Sequence, residues 1–198
     1  MELTGLDVRV TAADVDERRQ PDESPADMTR RLALAKARAA GSEISLALGA
    51  DTVVVDGATL LGKPQDLGEA RQMLETLRGH RHRVVTSIAL IDPQSGTEIV
   101  DTCESNVPMR KYSETELNGY LANGNPLDKA GSYAIQDANF MPVDVDQMRD
   151  CFANVMGLPL CHVARNLPLA PLADVPAACQ ARTGYQCQIY TEVLEGNL

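Results

Sequence analysis

A carboxylate inside an apolar segment is the most informative chemical feature of this sequence. Asp51 lies in the run Gly49-Ala50-Asp51-Thr52, which three consecutive valines follow. Because an unpaired charge is costly to bury, such an aspartate must be paired, bound to a metal or placed at a cleft. The alternative is a surface aspartate at the end of a strand, and the strand pattern alone leaves both interpretations open.

Two later segments carry groups that suit a phosphorylated ligand. In Leu61-Gly62-Lys63-Pro64, the glycine permits close backbone approach and Lys63 supplies a mobile positive charge. An ordinary solvated loop lysine would look the same. The stretch from Pro126 to Gln136 spaces Asp128, Lys129 and Gln136 among small residues, as a lined pocket requires. The alternative there is a loop and short strand with an Asp–Lys surface pair.

Clustered carboxylates near the beginning of the chain could hold a divalent cation. Asp14, Asp16 and Glu17 lie within four positions, and their oxygens suit Mg²⁺ or Mn²⁺. A solvated acidic turn has the same composition. His80 and His82 lack a second ligand at metal-binding spacing, which favours a structural role for them.

The elements that must position these residues follow from caps and periodicity. Ser24 and Pro25 begin a predicted helix that ends at Gly41, and further helices begin at Asp66 and Ser113. The predicted strands span residues 6–12, 45–56, 82–92 and 97–109, the last two as a hairpin. Strands that alternate with capped helices predict an α/β fold, with helices packed on a sheet that the hairpin makes mixed.

Composition limits the functional classes. The chain has 198 residues, 44% of them hydrophobic, which fits one domain or one domain with two lobes. A formal net charge of −10 disfavours nucleic acid and anionic membranes as partners, but not a small phosphorylated ligand. With no export signal and no apolar run long enough for a bilayer, we expect a cytoplasmic protein.

The five cysteines indicate thiols rather than a disulfide framework. They form no CxxC pair, and in a reducing cytoplasm we expect them to be free. Cys179 and Cys187 have the one suggestive spacing, which leaves a disulfide or a metal site as the alternative for the tail.

Taken in order, these segments resemble the Maf family of nucleotide pyrophosphatases from about Leu6 to Val163. Each motif is modest, but the ordered set is specific. The matching residues and segments are Asp14-Val15-Asp16-Glu17, Ser24-Pro25, Arg31-Leu32-Ala33, Ala35-Lys36-Ala37, Gly49-Ala50-Asp51-Thr52-Val53-Val54, Leu61-Gly62-Lys63-Pro64, Ala70, Met73-Leu74, Leu77, Gly79, His82-Arg83-Val84 with Thr86, Tyr120, Asp128-Lys129-Ala130-Gly131, Tyr133-Ala134-Ile135-Gln136 and Asn154-Val155-Met156-Gly157-Leu158-Pro159-Leu160.

The resemblance implies a fold and a reaction. The fold would be the inosine-triphosphatase-like α/β architecture, an elongated mixed sheet with flanking helices and a cleft between two lobes. The reaction would be hydrolysis of a nucleoside triphosphate between its α- and β-phosphates, aided by a divalent metal. The Asp51-Thr52 and Ile135-Gln136 pairs resemble the dTTP/UTP-type branch, whereas the 7-methyl-GTP branch tends to carry Gln and Glu there.

The resemblance also assigns roles to single residues. Asp51 matches the proton acceptor that would activate water, and Glu17 matches an acidic residue near metal and phosphates, so the two are candidate metal ligands. Lys63 matches a phosphate-contacting lysine, with Lys129 as a further substrate-binding candidate. Thr52 and Gln136 match positions linked to selection of the base.

The beginning of the chain departs from the family pattern. Family members open with a strand and a Ser-x-Ser-Pro-Arg-Arg loop, and Met1 to Gly5 align with the end of the helix after that loop. Either the true start lies upstream, or the product is a weakened relative that acts through a protein partner, since the family has been linked to septum formation. We expect a Maf-like domain over residues 1–165 and an irregular tail over residues 166–198. The sequence does not determine whether the protein forms a homodimer.

Overall fold

The computed structural model describes residues 8–41, 45–167 and 174–198, which form one sheet with helices packed around it. The helices are α1 (Pro25–Ala40), α2 (Leu67–Leu77), α3 (Glu114–Asn123), α4 (Phe152–Val155), α5 (Leu160–Asn166), α6 (Val175–Thr183) and α7 (Tyr190–Leu194). The strands are β1 (Ala47–Asp56), β2 (Thr59–Leu61), β3 (Arg81–Asp92) and β4 (Thr97–Pro108).

The four strands lie in the order β2-β1-β3-β4. The predicted α/β class, with helices flanking a sheet, is confirmed. The mixed character expected of the sheet is not seen among the described strands, because β1–β2, β1–β3 and β3–β4 all pair antiparallel. The short hairpin between β1 and β2, which was not predicted from the sequence, reverses the chain. After α2, β3 therefore pairs with β1 in the antiparallel rather than the parallel direction.

Helix α1 forms where its caps predict and lies against β1. The Ser24 hydroxyl accepts the N–H of Asp27 at 3.1 Å, and Pro25 occupies the first turn, where its missing N–H costs nothing. Ala33 and Ala37 are fully buried against Gly49, where an added Cβ would stand 2.1 Å from the Ala33 carbonyl oxygen. Lys36, which lies between these two alanines, reaches Asp51 from the same turn of α1.

The opposite face of the sheet is covered by α2, α3 and the segment that follows α3. Its core includes Leu74 and Leu77 of α2, both fully buried, and an aromatic group in which Tyr120 and Phe140 stack at 4.3 Å. Helix α3 has the predicted capping box, since the Ser113 hydroxyl and the Glu116 carboxylate satisfy each other's backbone N–H groups. This layer supports the loops that carry Lys63 and residues 128–136.

The predicted strand at residues 6–12 is not found in its described part. Residues 8–12 have no strand structure, and Val10 is 90% exposed. An alternating pattern needs a neighbouring strand to pair with, and residues 8–12 pair with none of the described strands. Leu6, Asp7 and the predicted helix end at residues 1–5 lie outside the described residues.

The tail, expected to be irregular, contains two helices. Asp174 caps α6 by accepting the N–H of Ala177 at 3.1 Å, and Pro176 lies in its first turn, where proline favours a helix rather than breaking it. Val175 and Val193 are buried in a cluster with Leu160 of α5. Within the described residues, no helix is both long and apolar enough to cross a membrane.

Candidate active site

A cleft of about 400 Å³ lies along residues 50–54 of β1 and reaches the first residue that pairs with β2. Both Asp51 and Thr52 line it. Because successive strand residues point to opposite faces of a sheet, the cleft reaches both sides of β1. Its lining is charged on the α1 side and mainly apolar around Thr52, so it has two chemically different parts.

The charged part is built around Asp51, whose side chain is 8% exposed. Lys36 lies between Ala33 and Ala37, the two residues of α1 that contact Gly49. Its ammonium is 2.6 Å from Asp51 Oδ1 and 2.7 Å from Glu17 Oε1. One lysine thus bridges a buried carboxylate and an exposed one. This arrangement meets the requirement that a buried carboxylate have a partner.

Burial and pairing act in opposite directions on these groups. Burial raises the pKa of the Asp51 carboxyl above its usual range, and it outweighs the lowering effect of Lys36. Burial also works against the charge on Lys36, but its hydrogen bonds to Asp51 and Glu17 raise the pKa of that ammonium overall. Asp51 is therefore a better proton acceptor than an ordinary aspartate, while Lys36 stays charged.

Two loops bring further cations to the cleft. The Gly131 N–H donates to the Gly62 carbonyl at 3.0 Å, which holds the loop after α3 against the loop after β2. Gly131 has a φ of 66°, and an added Cβ would stand 3.1 Å from Val54, so this crossing requires glycine. Lys63 is 62% exposed and pairs with Asp128 at 3.2 Å, so its ammonium can turn toward a phosphate with little loss.

The apolar part is a pocket lined by Val54, Val84, Tyr133 and Val155 around the Thr52 hydroxyl. Tyr133 is held from behind by His82, whose Nε2 lies 2.7 Å from the phenolic oxygen. Burial lowers the pKa of His82 to about 4, so this imidazole is neutral near pH 7. Apolar walls with one polar group suit the ring of a nucleobase.

A family model described as Maf-like protein matches residues 1–169 of this sequence. The chain belongs to the Maf family. It is 41% identical to the dTTP/UTP pyrophosphatase of Citrifermentans bemidjiense over 166 residues, which cover 82% of this chain and 84% of that protein.

Two further Maf relatives carry the same name. The dTTP/UTP pyrophosphatase of Anaeromyxobacter dehalogenans (strain 2CP-C) is 42% identical over 162 residues, or 81% of each chain. That of Syntrophus aciditrophicus is 38% identical over 169 residues, which cover 84% of this chain and 82% of the relative. Within the tail, residues 170–198 lie beyond the family match.

The structure brings every predicted site residue to one place. All six line the same cleft of this Maf protein: Glu17, Asp51, Thr52, Lys63, Lys129 and Gln136. They come from the segment before α1, from β1 and from the two loops that meet at Gly131. Their separate catalytic and binding roles stay predictions.

Two features of the site were missed in the sequence. Lys36 was noted only as part of a family segment, yet it is the partner of Asp51. Its position one residue before the buried Ala37, on a helix that must cross β1, is the signal that could have revealed it. Asp128, considered as a surface partner of Lys129, pairs instead with Lys63, while the Lys129 ammonium donates to the Asn125 carbonyl oxygen.

Glu17 and Asp51 suit a divalent cation that takes its remaining ligands from substrate and water. Among the described residues, no group of three or more His, Cys, Asp or Glu side chains is arranged to hold a metal. Glu17 and Asp51, which share Lys36, offer two hard oxygen donors. Mg²⁺ commonly binds through one or two carboxylates and takes its other ligands from substrate phosphates and water, so two donors are sufficient for it.

Proposed function

We propose that this chain hydrolyses dTTP and UTP to the corresponding monophosphates and pyrophosphate. The broader class, a nucleotide pyrophosphatase, follows from its Maf family membership and from relatives named dTTP/UTP pyrophosphatase at 41% and 42% identity. The observation that best supports the reaction is the buried Asp51 carboxylate with its raised pKa in a cleft that also holds Lys36, Lys63 and Lys129.

In the proposed reaction, Asp51 acts as the general base. Its carboxylate takes a proton from water as the water oxygen bonds to phosphorus and the anhydride bond between the α- and β-phosphates breaks. Pyrophosphate leaves with the electron pair of that bond. Lys36 keeps the base ionised and oriented, and Lys63 and Lys129 offset the charge of the phosphates.

A divalent cation, Mg²⁺ or Mn²⁺, would bind at Glu17 and Asp51. When bound, it would neutralise phosphate charge and favour departure of pyrophosphate. The support for this part of the proposal is the pair of carboxylates that Lys36 now bridges.

The nucleobase of the substrate would lie in the apolar part of the cleft. Val54, Val84 and Tyr133 would contact the faces of a pyrimidine ring, and Thr52 and Gln136 would bond its polar edge. A substrate bound in this way has its phosphates in the charged part of the cleft, beside Asp51, and its nucleobase in the apolar part, beside Thr52.

A panel of triphosphates with detection of pyrophosphate tests the proposal. We expect dTTP and UTP to be cleaved faster than 7-methyl-GTP, with one pyrophosphate for each monophosphate formed. Faster cleavage of 7-methyl-GTP would overturn the substrate assignment, and release of orthophosphate would overturn the cleavage position. A folded protein that cleaves no triphosphate would favour the non-catalytic alternative.

Replacement of the proposed base gives the sharper result. Asp51→Asn should lower kcat by about 10² to 10⁴ while the protein stays folded, because it removes proton transfer but preserves shape. Asp56→Asn is the matched control: Asp56 ends the same strand and does not line the cleft. Near-normal turnover of Asp51→Asn would show that another group is the base.

A further inference from the structure

A chain of hydroxyl groups runs from the cleft into the core behind Thr52. Thr52 on β1 lies opposite Thr86 on β3, and their Oγ1 atoms are 2.9 Å apart. The Thr86 hydroxyl in turn donates to the backbone carbonyl of Asn154 at 3.3 Å. Thr86 is fully buried, whereas Thr52 is half-buried and lines the cleft.

The buried carbonyl of Asn154 determines which group donates in each of these two hydrogen bonds. A carbonyl oxygen only accepts, and a hydroxyl has one proton to donate. Because the Thr86 hydroxyl donates its one proton to the Asn154 carbonyl, it must accept a hydrogen bond from Thr52. In the reverse arrangement, the lone pairs of two buried oxygens would face each other and Thr86 would lack a donor, which is costly away from water.

The Asn154 carbonyl that anchors this order is itself held in place. The Asn154 side-chain amide donates to the Val84 carbonyl at 3.0 Å and to Ser105 Oγ at 2.9 Å, and the residue is fully buried. The Gly157 N–H donates to the same carbonyl at 2.9 Å. These hydrogen bonds hold the Asn154 backbone in position beside Thr86.

We propose that Thr86 is a positioning residue that makes the Thr52 hydroxyl an acceptor toward the cleft, so that the site selects a pyrimidine ring carrying an N–H donor. The Thr52 hydroxyl donates its one proton to Thr86, so only its lone pairs are available to a ligand. Uracil and thymine carry a donor at N3, whereas N3 of cytosine is a lone pair. This inference rests on the proposed function and extends it from substrate class to discrimination between bases.

The space beside Thr52 suits such a ring. An added Cβ at Gly157 would stand 3.6 Å from Thr52 Oγ1, so the absence of a side chain leaves that side of the hydroxyl open. Val84 and Val155 line the same region with apolar surface. A polar atom of a ring placed there has Thr52 as a close hydrogen-bonding group.

The test compares UTP with CTP in variants of Thr86. Thr86→Val keeps the shape of the side chain but removes the hydroxyl, so Thr52 becomes free to donate to N3 of cytosine. We expect the ratio of kcat/KM for UTP over CTP to fall about tenfold, the effect of one hydrogen bond. Thr86→Ser, which keeps the hydroxyl, should restore the ratio.

Ser87→Ala is the matched control for general loosening of the strand. Ser87 is the next residue of β3, is equally buried, and bonds Thr29 of α1 at 2.7 Å on the other face of the sheet. It should keep the UTP/CTP ratio. An unchanged ratio in Thr86→Val, an equal fall in Ser87→Ala, or a wild-type protein that does not prefer UTP would each overturn the inference.

Binding distinguishes failure of this inference from failure of the proposed function. In the Asp51→Asn background, calorimetry would give Kd values for UTP and CTP without turnover. If the wild-type protein cleaves neither nucleotide, the proposed reaction is wrong, and a preference for UTP in binding that Thr86→Val lowers would still support the role of Thr86. Absence of any preference in binding would overturn that role as well.

Discussion

At the scale of single residues, the chemistry depends on how Asp51 is held. Burial raises its pKa and Lys36 lowers it, with burial the larger effect. A free buried carboxyl would be protonated too easily to serve as a base, and a fully solvated one would be a weak base. The contact with Lys36 at 2.6 Å sets Asp51 between these limits.

Replacement of Lys36 by methionine should move the acid limb of the pH–kcat profile to higher pH. A base is lost as the pH falls through its pKa, and removal of the neighbouring ammonium raises the pKa of Asp51 further. The measurement is kcat for UTP across the acid range.

Arg38→Met is the control for that experiment. Arg38 lies on the same helix but pairs with Glu98 at 2.8 Å and does not line the cleft, so its removal should leave the acid limb where it is in the wild-type protein. If the two variants give the same profile, the ion pair with Lys36 does not control the base.

At the scale of elements, the site depends on how closely α1 approaches β1. Gly49 lets the backbone of the helix contact the strand, and this contact puts Lys36 over Asp51. The ion pair is thus a consequence of helix–strand packing. A change that separates the two elements should disturb both stability and catalysis.

Gly49→Ala tests this coupling. Its methyl group would stand 2.1 Å from the Ala33 carbonyl and 2.5 Å from the Ala37 nitrogen, both rigid backbone atoms. We expect the free energy of unfolding to fall by about 1–3 kcal/mol or more, and turnover to fall because Lys36 moves with the helix. Urea unfolding and UTP turnover measure the two effects.

Gly119→Ala provides the matched substitution. Gly119 lies within α3 with nothing near its added Cβ, so alanine there should stabilise the protein by up to about 1 kcal/mol through helix propensity. Equal unfolding curves for the two alanine variants would mean that α1 does not press on β1 at Gly49.

At the scale of the whole molecule, the tail beyond the family match packs onto the rest of the chain. Val193 of α7 is 1% exposed, in a cluster with Leu160 of α5 and Cys103 of β4. Arg165 joins the same parts, because its guanidinium bonds both the Asp101 carboxylate and the Val193 carbonyl. None of these residues lines the cleft.

Val193→Ala should therefore lower stability without changing catalysis. Loss of two buried methyl groups should reduce the free energy of unfolding by about 2 kcal/mol. Leu194→Ala, at the adjacent position that is 40% exposed, should change it by no more than about 0.5 kcal/mol. Both variants should keep the kcat/KM for UTP, and a similar small effect of the two on unfolding would mean that the tail is not docked.

Much of the local structure could be predicted from the sequence. Helix α1 begins at Pro25 with Ser24 as its N-cap, as predicted, and β3 and β4 form the expected hairpin, because caps and turns depend on residues close in the chain. The strand predicted over residues 6–12 was wrong in its described part, residues 8–12, because extended structure needs a partner that no local pattern reveals. The tail helices were missed because their prolines suggested irregular chain.

For the site, sequence motifs were enough to identify the candidate groups, but the partners of these groups depend on the folded structure. The ordered motifs sufficed to select Asp51, Thr52 and Lys63. Asp51 pairs with Lys36 because α1 packs across β1. Thr52 bonds Thr86 because the register of β1 with β3 places them opposite each other. Such contacts join residues far apart in the chain, and only packing of the whole fold brings them within hydrogen-bonding distance.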